Sequence, residues 1–260
     1  VFNLKGGEPF RLGPSGKAPK GFSWDEWLGP AKSREYHSKI FHGGWHYFWD
    51  YSGGDVADCG IHQLDLALMV LGDPPAPSAV SASGGRLQHK GDDGEVPDVE
   101  ILHYDYPEFV MTFEHSHFAN SMSKIDGSIR SGDKFPHWLQ CATRIEFYGA
   151  KDNMMLGRHG GGWQVFTSNG KVVDQRFGRH PDTEHQQNFI DCIKSRNRPN
   201  ADVGLAQVST SVMHIGNIAH RVGNQKLHYN ASEEQFTNND SANSLSKRQN
   251  ITDFSVKELV

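Results

Sequence analysis

The chain is short of cysteine, of long apolar runs, of positive charge and of nucleotide-binding glycines, and each shortage removes a class of function. Its 260 residues hold three cysteines, Cys59, Cys141 and Cys192, with no Cys-x-x-Cys pair. That argues against a disulfide framework or a thiolate zinc site and leaves all three as small core residues. No stretch approaches the ~20 apolar residues that a membrane-spanning helix needs; hydrophobic residues make up 36% and the mean hydropathy is -0.61. Lysine and arginine total 26 against 31 aspartate and glutamate, a net charge of -5 with no large basic block. The electrostatic footprint of a nucleic-acid binder is therefore missing, and a small polar substrate is left open. Gly-x-Gly-x-x-Gly occurs nowhere, and Gly16-Lys17 lacks the upstream Gly and the Ser/Thr of a phosphate-binding loop, so nucleotide hydrolysis has no support. Gly160, Gly161 and Gly162 precede no helical pattern and read as a hairpin connection. The opening Val1-Phe2-Asn3 has neither an initiator Met nor the basic-then-apolar pattern of a signal peptide. Either a leader has been removed or residues are missing upstream, so the compartment stays open between cytoplasm and export.

What is present reads as one domain over residues 1–230, followed by a polar, Asn/Ser-rich tail over 231–260. No internal repeat is visible. Residues 1–50 are dense in Gly, Pro and aromatics without periodicity, and read as a long ordered loop anchored by Trp24, Trp27, Trp45, Tyr47, Phe48 and Trp49. A helix is predicted from Asp55 to Gly72, stopped by Pro74 and Pro75. Strands are predicted over 78–83, 99–106, 109–115, 144–148, 153–156, 163–167 and 171–174. Tyr106-Pro107-Glu108-Phe109 and Ser168-Asn169-Gly170-Lys171 look like hairpin turns, which makes much of the sheet antiparallel. Residues 119–140 read as a polar excursion off the sheet. Helices return over 181–194, with Phe189, Ile190 and Ile193, and along the stripe Leu205, Val208, Val212, Ile215, Ala219 and Val222 that ends at Gly223.

The chemistry concentrates in the first of these helices. Asp58, His62 and Asp65 fall at i, i+4 and i+7, which places two carboxylates and an imidazole on one stripe. The rest of the wheel is apolar nearly all round, the pattern of an interior helix. Three ionisable groups in such a place need partners or a task. His62 can take and give a proton near neutral pH, with a carboxylate one turn away to orient it; the bland alternative is a helix cap plus a hydrogen-bonded core histidine. A divalent ion on the trio is a rival reading, but the spacing matches no zinc helix motif, and no metal site is expected. Upstream, Lys39, Trp45 and His46 suit the rim of a sugar pocket through stacking and hydrogen bonds. Trp45 and Trp49 equally suit core anchors, and Lys39 and His46 fit either role. His115 and His117, at strand spacing on one sheet face with His103 near, read as solvated or packed imidazoles.

Trp24-Asp25-Glu26-Trp27-Leu28-Gly29-Pro30, Trp49-Asp50-Tyr51-Ser52-Gly53-Gly54-Asp55, the Asp58-x-x-x-His62-x-x-Asp65 helix, and Asn188-Phe189-Ile190-Asp191-Cys192-Ile193 leading to Arg198-Pro199-Asn200-Ala201-Asp202 occur in this order. Together they resemble the C-terminal domain of the Gfo/Idh/MocA oxidoreductases, of the bacterial type with a long aromatic loop, from about residue 1 to the end. The resemblance implies an α+β fold, a large mostly antiparallel open sheet with helices packed on one face, whose open face commonly serves as a homo-oligomer interface. It implies an NAD- or NADP-dependent enzyme acting on a hydroxyl or ketone of a sugar, inositol or related polyol. By that resemblance Asp58 and His62 are catalytic, His62 exchanging the proton and Asp58 tuning it; Lys39, Trp45, His46 and Asp65 are expected, from the residues themselves, to hold substrate. The cofactor would sit on an N-terminal Rossmann domain, of which this sequence shows neither the glycine fingerprint nor the Glu-Lys-Pro segment. The 260 residues are therefore expected to be part of a longer enzyme and not competent alone. The alternative is a carbohydrate-binding or assembly module without catalysis.

Overall fold

The computed structural model describes residues 1–247 except 159 and 224. Its elements, in chain order, are β1 (Phe2–Leu4), α1 (Trp24–Leu28), α2 (Ser38–Phe41), α3 (Ile61–Val70), β2 (Ala79–Gly85), β3 (Val99–Asp105), β4 (Val110–Ser116), α4 (Gly127–Arg130), β5 (Thr143–Tyr148), β6 (Asn153–Gly157), β7 (Trp163–Phe166), β8 (Val172–Arg176), α5 (Asp182–Ser195), α6 (Val203–Val222), β9 (Leu227–Asn230), β10 (Gln235–Phe236) and α7 (Asp240–Leu245). The strands form one ten-stranded sheet in the order β10-β9-β2-β3-β4-β1-β5-β6-β7-β8. Every pairing is antiparallel except β1 with β4, where Phe2 lies opposite Glu114. The two hairpin turns close as expected, with the Tyr106 N–H donating to the Phe109 carbonyl at 3.0 Å and the Thr167 N–H to the Lys171 carbonyl at 2.9 Å.

Alternation along the strands decides which face is covered. Leu102 and Tyr104 of β3 and Met111 and Phe113 of β4 are buried and pack with Leu64 and Leu68 of α3 and Val212 and Ile215 of α6. On the opposite face Ile101 and Val110 stay exposed. The α+β fold with an open, mostly antiparallel sheet is thus present. Gly216 lets α6 sit this close to the sheet, because a Cβ there would lie 2.3 Å from the Tyr104 hydroxyl.

Four expectations change in detail. The helix predicted from Asp55 starts as a π-helical turn, Val56–Gly60, before α3. It is also not interior: Gln63, Leu64, Ala67 and Leu68 are buried, while Asp58, His62, Asp65 and Met69 are exposed. An apolar wheel predicts burial only where another element exists to cover it, and no described element covers that side. The segment from 231 was expected as a polar tail, yet it supplies β10 and α7 and buries Phe236 and Ala242; a few apolar positions among Asn and Ser are enough to dock a short edge hairpin. The remainder of that segment, 248–260, lies outside the described residues. Of the cysteines only Cys141 is buried, packed with Ile125 and Trp138 under the 119–140 excursion, while Cys59 and Cys192 are half-buried. Finally, α5 forms as expected but buries none of its residues, leaving Phe189, Ile190 and Ile193 exposed.

One buried charge stands out in the core. Glu100 of β3 is 1% exposed, with Oε1 3.1 Å from His220 Nδ1 at the end of α6. Burial pushes the Glu100 carboxyl up to about 8 and lowers His220, so the two meet near neutrality as carboxylic acid and imidazole. The folded pKa lies above the unfolded one, so this group's contribution is complete below pH ~4.5 and declines as pH rises toward about 8. Glu100→Gln should therefore gain stability relative to the parent as pH rises from 5 to 8, read as a growing difference in Tm.

Candidate functional site

The long N-terminal loop is held by aromatic stacking and by ion pairs and hydrogen bonds to the β2–β3 connection. Trp24 stacks on Trp27 at 4.6 Å and Phe10 on Tyr47 at 4.4 Å, and the Arg34 guanidinium lies 4.2 Å over the Phe48 ring. Asp92 binds Arg86 through both carboxylate oxygens and accepts the Phe10 N–H at 2.7 Å. Buried Asp98 gathers the N–H groups of Leu87 and His89, each at 2.7 Å. Burial opposes its charge, but these backbone hydrogen bonds outweigh that and hold its carboxyl below the usual range. The loop and the β2–β3 connection together form one wall of a hollow.

That hollow, about 290 Å³, is lined by Lys5, Tyr47, Asp55, Asp58, Arg86 and His117 among others. Its floor is Asp55, at the entry to the π turn. Lys5, just past β1, contacts Asp55 Oδ1, while His117 Nε2 and His115 Nε2, at the end of β4, lie 2.9 Å and 3.3 Å from Asp55 Oδ2. Burial works against the Asp55 charge, yet the hydrogen bond from His117 and the Lys5 ammonium hold its carboxyl well below the carboxylate range. The same pairing raises the Lys5 ammonium despite its own desolvation. His115, 1% exposed, goes the other way: burial brings it down to about 4, leaving a neutral ring.

His62 and Asp65 belong to a second hollow of about 630 Å³, with Arg158, His180, His185 and Ser209. The Ser209 hydroxyl on α6 donates to Asp65 Oδ1 at 2.6 Å and fixes that carboxylate. Partial desolvation, followed by the Arg158 charge, lowers His62, and Asp58 and Asp65 pull it partly back up. The expected trio is therefore divided: Asp58 lines the first hollow, and His62 and Asp65 line the second. The π turn is the reason, since it carries an extra residue per turn and rotates Asp58 off the stripe that 3.6-residue spacing draws. His46 lines the first hollow, with Trp45 stacked on it at 3.6 Å. Trp45 and Lys39 line neither hollow; the Lys39 ammonium instead donates to the Arg11 carbonyl at 2.6 Å. Lys5, Asp55 and His117 were not anticipated. Asp55 stood next to Gly53-Gly54 at the helix start, but Lys5 meets it only through the β1–β4 pairing, which no local pattern reveals.

The model of the oxidoreductase family's C-terminal alpha/beta domain, that of Gfo/Idh/MocA, matches residues 11–131 and 144–256. No curated protein matches in sequence. Among solved structures, the aldose-aldose oxidoreductase from Caulobacter crescentus complexed with glycerol superposes with a TM-score of 0.52 at 16% identity, over 71% of this chain and 50% of that one. The WlbA dehydrogenase from Bordetella pertussis in complex with NADH and UDP-GlcNAcA gives 0.48 at 14% identity, over 74% and 50%. The chain thus spans about half the length of these structures. The family match covers most of the sequence and the sheet is that of its C-terminal domain, so the chain belongs to the Gfo/Idh/MocA oxidoreductase family.

Proposed function

We propose that this chain is the substrate-binding and catalytic wall of an NAD(P)-dependent oxidoreductase acting on a hydroxyl or ketone of a sugar or related polyol. The observation that carries the reading is Asp58 and His62 standing exposed where α3 begins, each opening onto a hollow lined with hydrogen-bonding groups. His62, lowered by desolvation, is neutral at pH 7 and able to accept the proton of the reacting hydroxyl. Asp58 stabilises the charge that the ring then acquires. His46 and Lys5 offer hydrogen bonds to further hydroxyls in the first hollow, and Asp65, fixed by Ser209, shapes the second. Lys39 and Trp45 drop out of the substrate set, because they line neither hollow. That the Caulobacter neighbour is an aldose-aldose oxidoreductase supports a sugar.

When bound, the nicotinamide takes or gives the hydride at the carbon bearing that hydroxyl. The residues present fit its reacting end, since His62 is open on one side, but they do not fit its pyrophosphate. The sequence has no Gly-x-Gly-x-x-Gly, and the described sheet is antiparallel where a dinucleotide fold is doubly wound and parallel. The dinucleotide is therefore assigned to a separate Rossmann domain, and the 260 residues alone to an incompetent state. The bare apolar side chains Met69 on α3 and Phe189, Ile190 and Ile193 on α5 support a covering domain there. Ile101 and Val110 on the open sheet face support a second copy on that side.

In the full-length enzyme with NAD(P) and a sugar panel, His62→Ala should lower kcat about a hundredfold while substrate binding persists. Unchanged turnover removes His62 from the mechanism, and sugar binding with no turnover in the parent points to a binding module. The acid limb of the parent's pH–rate profile should fall below pH 6.5. Asp58→Asn, which removes a charge that raises His62, should move that limb to lower pH, and Arg158→Met should move it higher.

A further inference from the structure

Three ring or carboxylate atoms converge behind the first hollow: Asp55 Oδ2, His115 Nε2 and His117 Nε2, with both nitrogens 2.9–3.3 Å from the same oxygen. Proton sharing accounts for only one of these contacts. His117 can place its hydrogen on Nε2 and donate to Asp55. For His115 the Asn3 backbone carbonyl, which only accepts, lies 3.1 Å from Nδ1 and calls for the ring's hydrogen on Nδ1. The Asn3 side-chain nitrogen also sits 3.2 Å from that Nδ1. Turned over, the amide would present Oδ1, which has no partner as placed, to the same hydrogen. The His115 Nε2 lone pair then faces a carboxylate oxygen at 3.3 Å, without a hydrogen-bond partner, at a side chain 1% exposed. Two acceptors held face to face away from water repel unless a cation lies between them.

We propose that Asp55, His115 and His117 form a binding site for a divalent transition ion of the zinc class. With metal–ligand bonds of about 2.0–2.1 Å, neighbouring ligand atoms around a tetrahedral ion stand about 3.3 Å apart, close to the separations here. Two imidazoles and one carboxylate suit first-row divalent ions and leave a coordination position open. Asp55 also belongs to a second group, with Asp58 and Cys59, whose ligand atoms lie within 4.8 Å of one another. The Nδ1–H of His115 on a backbone carbonyl is the outer contact that fixes the tautomer of a metal-bound histidine. Such an ion would tie the end of β4 to the start of the π turn and set where Asp58 points. Lys5 is the opposing charge: it occupies Asp55 Oδ1 and competes with the ion for that carboxylate.

The test is metal content and affinity in the full-length protein, purified without a histidine tag, equilibrated with zinc and dialysed. The expected result is about one zinc per chain, a Tm that rises on zinc addition and falls back with chelator, and visible absorption of tetrahedral type when cobalt replaces zinc. His117→Gln and His115→Ala should each weaken binding at least tenfold, and Lys5→Met should tighten it. His62→Ala should keep its zinc, which separates this site from the proton-exchange group. Less than about half an equivalent in the parent, with no change of Tm on zinc addition, overturns the proposal and leaves a shared proton in its place. Equal zinc in a folded His115→Ala/His117→Gln double variant also overturns it.

Discussion

The buried carboxylate of Asp55 organises this end of the molecule. It accepts Lys5, just past the strand at the centre of the sheet, and His117, just past the neighbouring strand, has His115 Nε2 3.3 Å away, and sits where the π turn begins. Removing such a charge from water is costly unless donors surround it, and here they arrive from two distant parts of the chain. The aromatic loop, the β2–β3 connection and α3 are placed around that cluster. Asp58 and His46 owe their positions to it as much as to their own local structure.

The division of Asp58 from His62 and Asp65 shows how a small backbone irregularity redistributes chemistry. In a regular helix the three would have shared one face. The π turn at Val56–Gly60 opens two hollows from what the spacing drew as one stripe. Carboxylate and imidazole can then act on different parts of one bound molecule while still sensing each other's charge, as the pull of Asp58 on His62 shows.

Much of the fold was legible in the sequence because it depends on local signals. Hairpin turns at Pro107 and at Asn169-Gly170, alternation in β3 and β4, and the apolar stripe of α6 each have a short-range cause, and β2 to β8 lie within a residue or two of their expected limits, whereas β1, β9 and β10 were not expected. The site was legible in part. Asp58, His62, Asp65 and His46 reach the hollows, whereas Lys39 turns to the Arg11 carbonyl, an outcome set by where a flexible loop lands. Lys5 and Asp55 were hidden because their meeting requires pairing between strands more than a hundred residues apart in sequence. The exposure of α3 and α5 was hidden for a different reason: patterning reports which side chains seek cover, not whether the cover is supplied by the same residues.

The position of β1 has an architectural consequence. Among the described residues, its three are the strand that joins a five-stranded half-sheet, β10 to β4, to a four-stranded half, β5 to β8. Three residues thus act as a keystone, since β4 and β5 each pair with β1 and not with each other. Without β1 two bare sheet edges would face each other across a gap one strand wide, open to any extended peptide.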